Sequence, residues 1–448
     1  MLAVSADGIL TLFFIGSIKS GLSAATLLLL SGDILGASGL VSSTFLSPRQ
    51  ALSDPSMTWK LVFLSTFLLI SNTVLGAYFT DDQRLGKDAG LPVVSTYGYL
   101  LGGAFVGFGT KLGNGCTTGH GICGMARLSK RSFVAVTTFM LAAVAAANLT
   151  APENKVFSNG TRFLRTDKVP ELFNRWLGFG ITCFFLIPTV IALNNLWLSR
   201  PSANPTESND TNTGTRKSDC SEQTYQISEA FESGLSLASL TNADTAPAKE
   251  ADVENPQDTS ESSKSQEPES TETEDKEEPK EPSDQEKKEQ ECQQHNDGVR
   301  KILPAILSAL IFAVGLAVSG MVQPTKVQGF LNLYLLHEGT YDPTLLTVMV
   351  AGCIVSFAAY QFVDKHRLFP NRYARDCPLV ASKFSVPTNT VIDAYLVVGA
   401  LCFGIGWGTA ALCPGPAMFL AATGAKPVLF FWWPGFFVGS FLAKIIRP

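Results

Sequence analysis

Two cysteines set in glycine-rich polar stretches are the residues of this chain best suited to chemistry. Cys116 lies in Gly107 to Ser132, GFGTKLGNGCTTGHGICGMARLSKRS, and Cys413 in Gly404 to Gly424, GIGWGTAALCPGPAMFLAATG. Aligning Gly107 with Gly404 also aligns Gly109 with Gly406 and Cys116 with Cys413, so Gly-x-Gly precedes a cysteine at one spacing in both. A thiol is a weak, polarizable donor and suits a soft, sulfur-bearing anion better than phosphate or chloride. Backbone NH groups at helix starts add fixed donors, and the helix dipole favours negative charge there. Gly113, Gly115, Gly119 and Gly121 let the backbone approach a ligand, Thr117, Thr118 and His120 supply side-chain donors, and Pro414 and Gly415 open the second stretch. Several weak contacts are what passage across a membrane needs, because a tight site would not release its ion.

Plainer readings compete for the same residues. Gly102, Gly103, Gly107 and Gly109 also suit close helix packing, and Cys183, Cys353 and Cys402 read as small buried hydrophobes. Cys116, His120 and Cys123 have metal-like spacing, yet a structural zinc takes four ligands and no fourth is near, so no metal is expected. His120 equally suits a helix-capping role. Gly107-x-Gly109 is no dinucleotide fingerprint, since no βαβ unit surrounds it, and no cofactor or nucleic-acid partner is implied.

Polar backbone between apolar runs cannot sit in hydrocarbon and must line a protein-walled cavity. Apolar windows long enough for roughly 30 Å of hydrocarbon fall at 8–30, 60–79, 92–112, 131–148 and 172–197, then at 302–321, 344–363, 391–412 and 426–445. The expected fold is therefore an all-α polytopic membrane protein with about nine transmembrane helices. Two interrupted segments at corresponding places in two halves point to a transport site. With five windows before the second copy, the halves must enter the membrane in opposite senses. That predicts two inverted repeats, with re-entrant half-helices meeting near the midplane.

The average composition, 46% hydrophobic and 16% charged over 448 residues, hides a sharp division. Residues 201–298 carry 25 acidic and 8 basic residues, a net of −17, whereas the remainder nets +12. Such a polar segment cannot bury enough apolar area to offset its ordering entropy, so it reads as a disordered acidic linker whose partner is unknown. The domains expected are a first membrane repeat with its connecting helix (1–200), the linker (201–298) and a second repeat (299–448). Basic loops with Arg127, Lys130 and Arg131, with Lys365, Arg367, Arg372 and Arg375, and the tail with Lys444 and Arg447 alternate onto one side. The positive-inside rule makes that side cytoplasmic, together with the linker and C-terminus. Asn148 and Asn159 then fall at an outer loop and fit the N-glycosylation pattern, as does Asn209 in the linker. No basic region precedes the first apolar run, so no cleavable signal is expected.

Each half opens with a related interruption, SGDILGASGL from Ser31 and VSGMVQPTKVQGF from Val318. Ser38-Gly39 is loosely paired with Ser319-Gly320, and Asp54-Pro55-Ser56 with Asp342-Pro343-Thr344. Pro324 suits a first helical turn, which sets Lys326 near a positive helix end.

The runs GNGCTTGHGICGMARLSKRS and GIGWGTAALCPGPA resemble the signature segments of the YeeE/YedE sulfur-transport family. SGMVQPTKVQGFLNL and DPTLLTVMVAG resemble its half-length bacterial members. The resemblance spans both membrane halves and not the linker. It implies a path on which thiosulfate passes between cysteines through S–H···S hydrogen bonds, with Cys116 and Cys413 as path cysteines. Characterised thiosulfate importers look to have a further cysteine in the opening segment of the first half, which this chain lacks; Ser38 and Ser319 are candidates for its place. The expectation is a non-enzymatic plasma-membrane transporter of a small sulfur anion, thiosulfate first. His120 and the glycine-rich turns would hold the ion, and Lys326 would attract it. The rival is a membrane sulfurtransferase or thiol redox protein forming a cysteine persulfide, which needs a depressed thiol pKa and a partner base.

Overall fold

The computed structural model describes residues 6–75, 94–150, 174–198, 293–370 and 373–447. Among them the regular structure is helical apart from isolated bridge residues, such as the pair Val363 and Arg375. The first half contains α1 (Ala6–Thr26), which runs into a π turn at Leu27–Ser31, then α2 (Ala37–Leu46), α3 (Pro48–Ser53), α4 (Thr58–Ile70) and α5 (Thr96–Leu112). A π-helical segment, Thr117–Gly124, leads to α6 (Lys130–Thr150) and α7 (Arg175–Leu198). The second half contains α8 (Ile302–Val318), α9 (Pro324–Leu331), α10 (Thr344–Tyr360), α11 (Ala394–Ala410), α12 (Pro414–Ala422) and, after a π turn at Val428–Trp432, α13 (Trp433–Ile446).

Each of the nine apolar windows holds a helix, yet fewer can cross a bilayer alone. Among the described residues four helices are long and apolar enough: Lys130–Thr150, Arg175–Leu198, Gln293–Val318 and Val428–Ile446. A fifth appears if α11 and α12, bent by 42° at their break, count as one span. The shortfall has a physical cause. Helices α5, α10 and α11 are 17 residues each and α4 is 13, so at about 1.5 Å per residue they reach only ~20–26 Å. Helix α1 carries buried Ser17, Ser20 and Ser23, which lower its apolar content.

Small residues let these helices touch backbone to backbone. A Cβ on Gly103 would lie 2.0 Å from the Trp432 carbonyl, and one on Gly107 2.0 Å from that of Phe436, so α5 runs parallel to α13 in close contact. Gly404 and Gly408 meet Phe139 and Ala143, which makes α11 parallel to α6. Gly102 meets Ala410 while Gly109 meets Phe403, so α5 and α11 are antiparallel. The packing role therefore claims Gly102, Gly103, Gly107 and Gly109. Helices α1 and α8 are antiparallel too: Gly16 abuts Ser319 and Gly315 abuts Ser20. Across this seam Ser23 Oγ donates to the Ser308 carbonyl (2.8 Å) and Ser308 Oγ to that of Ser23 (3.1 Å). The two halves thus interleave around one core, in which Phe139, Phe403 and Trp407 pack edge-on and stacked.

The opening interruptions pair in a different register from the one their spacing suggests. Gly32 (φ 73°) ends the first helix and Gly320 (φ 67°) ends α8. Ser31-Gly32 therefore matches Ser319-Gly320, because a left-handed glycine terminates each helix, while Ser38-Gly39 lies inside α2. The Asp-Pro pairs do correspond: Asp54 accepts from the Ser56 amide (2.8 Å) and Asp342 from the Thr344 amide (3.0 Å).

Most of the acidic linker lies outside the described residues, but its end is helical from Gln293. His295 is buried against the Leu196 carbonyl (2.7 Å), and Ser382 Oγ donates to Asp297 (2.5 Å). Asn159 and Asn209 lie outside the described residues. Asn148 belongs to the packing: its amide donates to the carbonyls of Val144 and Leu331 and accepts from the Tyr334 NH.

Candidate functional site

Both cysteines sit where a helix breaks. After α5, Asn114 takes a left-handed conformation (φ 58°), and Cys116 is extended at the N-cap of the π-helical segment. After α11, Ala411 does the same (φ 55°), and Cys413 is extended at the N-cap of α12. Pro414 occupies the first turn, where its missing NH costs nothing. Both thiols are buried, Cys116 at 1% and Cys413 at 5% exposure. They lie within electrostatic range of each other, and the Thr117 side chain and Gly415 NH reach the Cys413 sulfur. Cys123 extends the line of thiols. It too is within electrostatic range of Cys116, and its Sγ donates to the Leu35 carbonyl (3.6 Å) in the α1–α2 connection.

His120 is a clip. Its Nε2 donates to the Gly113 carbonyl (3.2 Å), so in the neutral ring Nδ1 accepts from Ser132 Oγ (3.1 Å). This ties the loop after α5 to the start of α6 and leaves neither ring nitrogen free for an ion. Gly115 makes room for that ring: a Cβ there would fall 2.5 Å from the imidazole. Gly119, by contrast, faces open space.

That open space is a cavity of about 520 Å³. Gly115, Gly119 and His120 line it together with Ser38, Asn114 and Trp59, and Cys116 directly follows Gly115 in the chain. Five cationic side chains converge on it from separate elements: Lys60 from α4, Lys111 from α5, Arg127, Arg131 from α6 and Lys444 from α13. The lining contains one carboxylate, Asp33, which is already paired with Lys301 at 2.9 Å. Arg131 pairs with Asp393 (3.3 Å), which also holds Arg447 (3.2 Å). Residues of two of the basic segments, Arg127 and Arg131 from one and Lys444 and Arg447 from the tail, thus share one end of the bundle.

The remaining expected residues make other contacts. Thr118 is buried in the π-helical segment. Ser319 caps α8 by donating to the Leu316 carbonyl (3.2 Å). Lys326 is ion-paired to Asp342 (3.2 Å), and its helix α9 packs near the far end of α6, where Asn148 meets Leu331. The cavity is lined instead by Lys60, Lys111 and Lys444, which the sequence reading did not place in the site. Lys60 and Lys111 left a signal, since an ionisable residue inside an apolar helix marks function by default. Among the described residues no three histidine, cysteine or acidic side chains group as a metal site.

Apolar helices packed through glycine faces, two of them broken at buried thiols beside a basic cavity, define an integral membrane protein of the transporter class. Residues 6–145 match the family model described as sulphur transport, and residues 300–445 match a family of unknown function, DUF6691. A "Probable transporter" of Xylella fastidiosa strain 9a5c is 38% identical over 127 residues, 28% of this chain and 79% of that protein. Another "Probable transporter", from strain Temecula1, is 34% identical over 133 residues, 30% of this chain and 89% of that protein. No solved structure matches. The chain belongs to the sulphur-transport (YeeE/YedE) family, with a second family match in its other half.

Proposed function

We propose that this protein is a plasma-membrane transporter for thiosulfate, moving the ion past Cys116 and Cys413 without covalent chemistry. The observation that carries the reading is the approach of two thiols, each at the start of a half-helix from a different half of the chain. Thiosulfate leaving water loses strong hydration. Thr117, the Gly415 NH and the two helix starts offer fixed donors in exchange, and the S–H groups suit its terminal sulfur. Cys123, within electrostatic range of Cys116 and bonded to the opening segment of the first half, supplies the thiol that the opening segment lacks. Ser38 lines the vestibule beside this path, and Ser319 and Lys326 belong to its far side.

The persulfide reading needs a base beside Cys116. The nearest candidate, His120, has both nitrogens engaged, which favours transport over catalysis. Antiparallel pairing of α1 with α8 and of α5 with α11, and the matched breaks at Asn114 and Ala411, support nine crossings arranged as inverted repeats. The gathering of basic residues at one end supports a cytoplasmic vestibule, C-terminus and linker.

The test is uptake of sulfur-35 thiosulfate into proteoliposomes. Wild type should accumulate label, and Cys116→Ala or Cys413→Ala should lower the rate by about ten-fold or more, equivalent to ~1.4 kcal/mol in the barrier. Unchanged uptake in both variants would remove the cysteines from the path. A stoichiometric persulfide on either cysteine during turnover would favour the sulfurtransferase.

A further inference from the structure

The cavity beside the cysteines is built as an ion site in its own right. Lys111 has neither a carboxylate nor a hydrogen-bond acceptor among the described residues, and Lys60 donates only to the Met57 thioether (3.0 Å), a weak acceptor. Lys444 donates to one backbone carbonyl, that of Leu46 (3.2 Å), and Arg127 to that of Pro387, with its Nε buried and unpartnered. Of the five cations in the lining, Arg131 alone meets a carboxylate, and the cavity's own carboxylate, Asp33, is neutralised by Lys301. Four positive charges therefore have no direct ion-pair partner among the described residues around one concavity with low-dielectric walls, Asp33 and Asp54 acting on Lys60 only from a longer distance. Such a concavity focuses the field and concentrates counter-ions. Coulomb attraction scales with the ligand's charge, so a dianion gains about twice what chloride does. The Ser38 side chain and the unobstructed Gly119 backbone lie on the same wall.

We infer that this vestibule binds a tetrahedral divalent oxyanion of the sulfate and thiosulfate type, chiefly through Lys60 and Lys111, and does so independently of the cysteines. Charge and size are what it recognises; the terminal soft sulfur is left to Cys116 and Cys413. Sulfate therefore occupies the vestibule without entering the thiol path and competes with thiosulfate there. The vestibule's place as a station on the path rests on the transport reading, whereas its capacity to hold a dianion does not.

The test measures equilibrium binding of sulfur-35 sulfate to the purified full-length chain in detergent, with sulfate, thiosulfate and chloride as unlabelled competitors. Wild type and C116A/C413A should bind sulfate with the same Kd. K60Q/K111Q should weaken binding by about ten-fold or more, K60R/K111R should retain it, and rising ionic strength should weaken it in all. Sulfate and thiosulfate should compete equally, and chloride only at far higher concentration. Undiminished binding in a folded K60Q/K111Q, loss of binding in C116A/C413A, failure of K60R/K111R to bind while its thermal midpoint is unchanged, or equal competition by chloride would each overturn the inference. Sulfate binding without thiosulfate uptake would leave the vestibule standing and sink the transport reading. Uptake without sulfate binding would do the reverse.

Discussion

Asn114 and Ala411 hold the same left-handed backbone, φ 58° and 55°, each two residues ahead of a buried cysteine. Asparagine tolerates that region, but alanine there carries a Cβ–carbonyl clash of about 1–2 kcal/mol. The break after α11 is thus held against local preference by its surroundings. Ala411→Gly should leave the thermal unfolding midpoint in detergent unchanged or raise it, and Ala411→Val should lower it. A clear loss of stability in Ala411→Gly would contradict the left-handed assignment.

Glycines of the same stretch should separate into two kinds. Gly103→Ala and Gly107→Ala each drive a methyl to 2.0 Å from a carbonyl oxygen of the Trp432–Phe436 backbone. Such overpacking costs about 1–3 kcal/mol or more, with little room for relief because the obstacle is backbone. Gly119→Ala places its methyl in the open cavity and should leave the midpoint unchanged. Fluorescence-detected size exclusion after graded heating would compare the three.

His120 is expected to act through the loop it fixes. His120→Phe keeps the ring's bulk but strands the Gly113 carbonyl and Ser132 hydroxyl, a loss of about 1–3 kcal/mol. Ser132→Ala removes one of the two bonds and should cost less. Destabilisation in this order, read by thermal unfolding, supports a clip; uptake abolished at full stability would return His120 to direct contact with the ion.

Asp393 should give the fold an acid-sensitive edge. Burial alone would raise its pKa, but the Leu396 NH and the Arg131 and Arg447 guanidinium groups outweigh it and hold the carboxyl below its ordinary range. With a folded pKa under the unfolded value of about 4, its contribution is complete above that value and is lost as pH falls through the folded pKa. Asp393→Asn keeps the cap to Leu396 without the charge. The variant should be less stable than wild type at neutral pH, and the two midpoints should converge in acid. A constant gap at every pH would refute the ionic role.

Cys123 offers a test of the thiol line. Cys123→Ala should lower thiosulfate uptake several-fold, whereas Cys402→Ala, on the half-exposed face of α11, should not. Equal uptake by the two variants would confine the path to Cys116 and Cys413.

Much of this molecule was legible from residue order. Apolar windows mark helices because hydrophobicity is local and additive along the chain, and nine windows yielded nine helices. The Gly-x-Gly and cysteine spacing found both helix breaks, because a repeated backbone problem was solved twice with like residues. Less was legible where one residue type serves two ends. Gly102, Gly103, Gly107 and Gly109 suit ligand approach and helix contact alike, and only the position of α11 and α13 against α5 settles which. His120 was open between donor to the ion and local cap, because nothing in the sequence reveals that Ser132 and the Gly113 carbonyl engage its two nitrogens. The Ser38-Gly39 register failed because a serine-glycine pair occurs twice within ten residues, and the turn at Gly32, not the spacing, identifies the helix end.

What the sequence determined by itself was a membrane-embedded helical chain with two cysteine-bearing breaks and an acidic insert between its halves. These follow from composition and periodicity within short windows. Tertiary packing alone decided that the two thiols lie within electrostatic range of each other and Cys123 within range of Cys116, that Lys326 is neutralised by Asp342, and that Lys60, Lys111, Arg127, Arg131 and Lys444 enclose one cavity. Those cations come from separate elements of the two halves, and which charges share a space is set by how helices cross, a property no single segment carries.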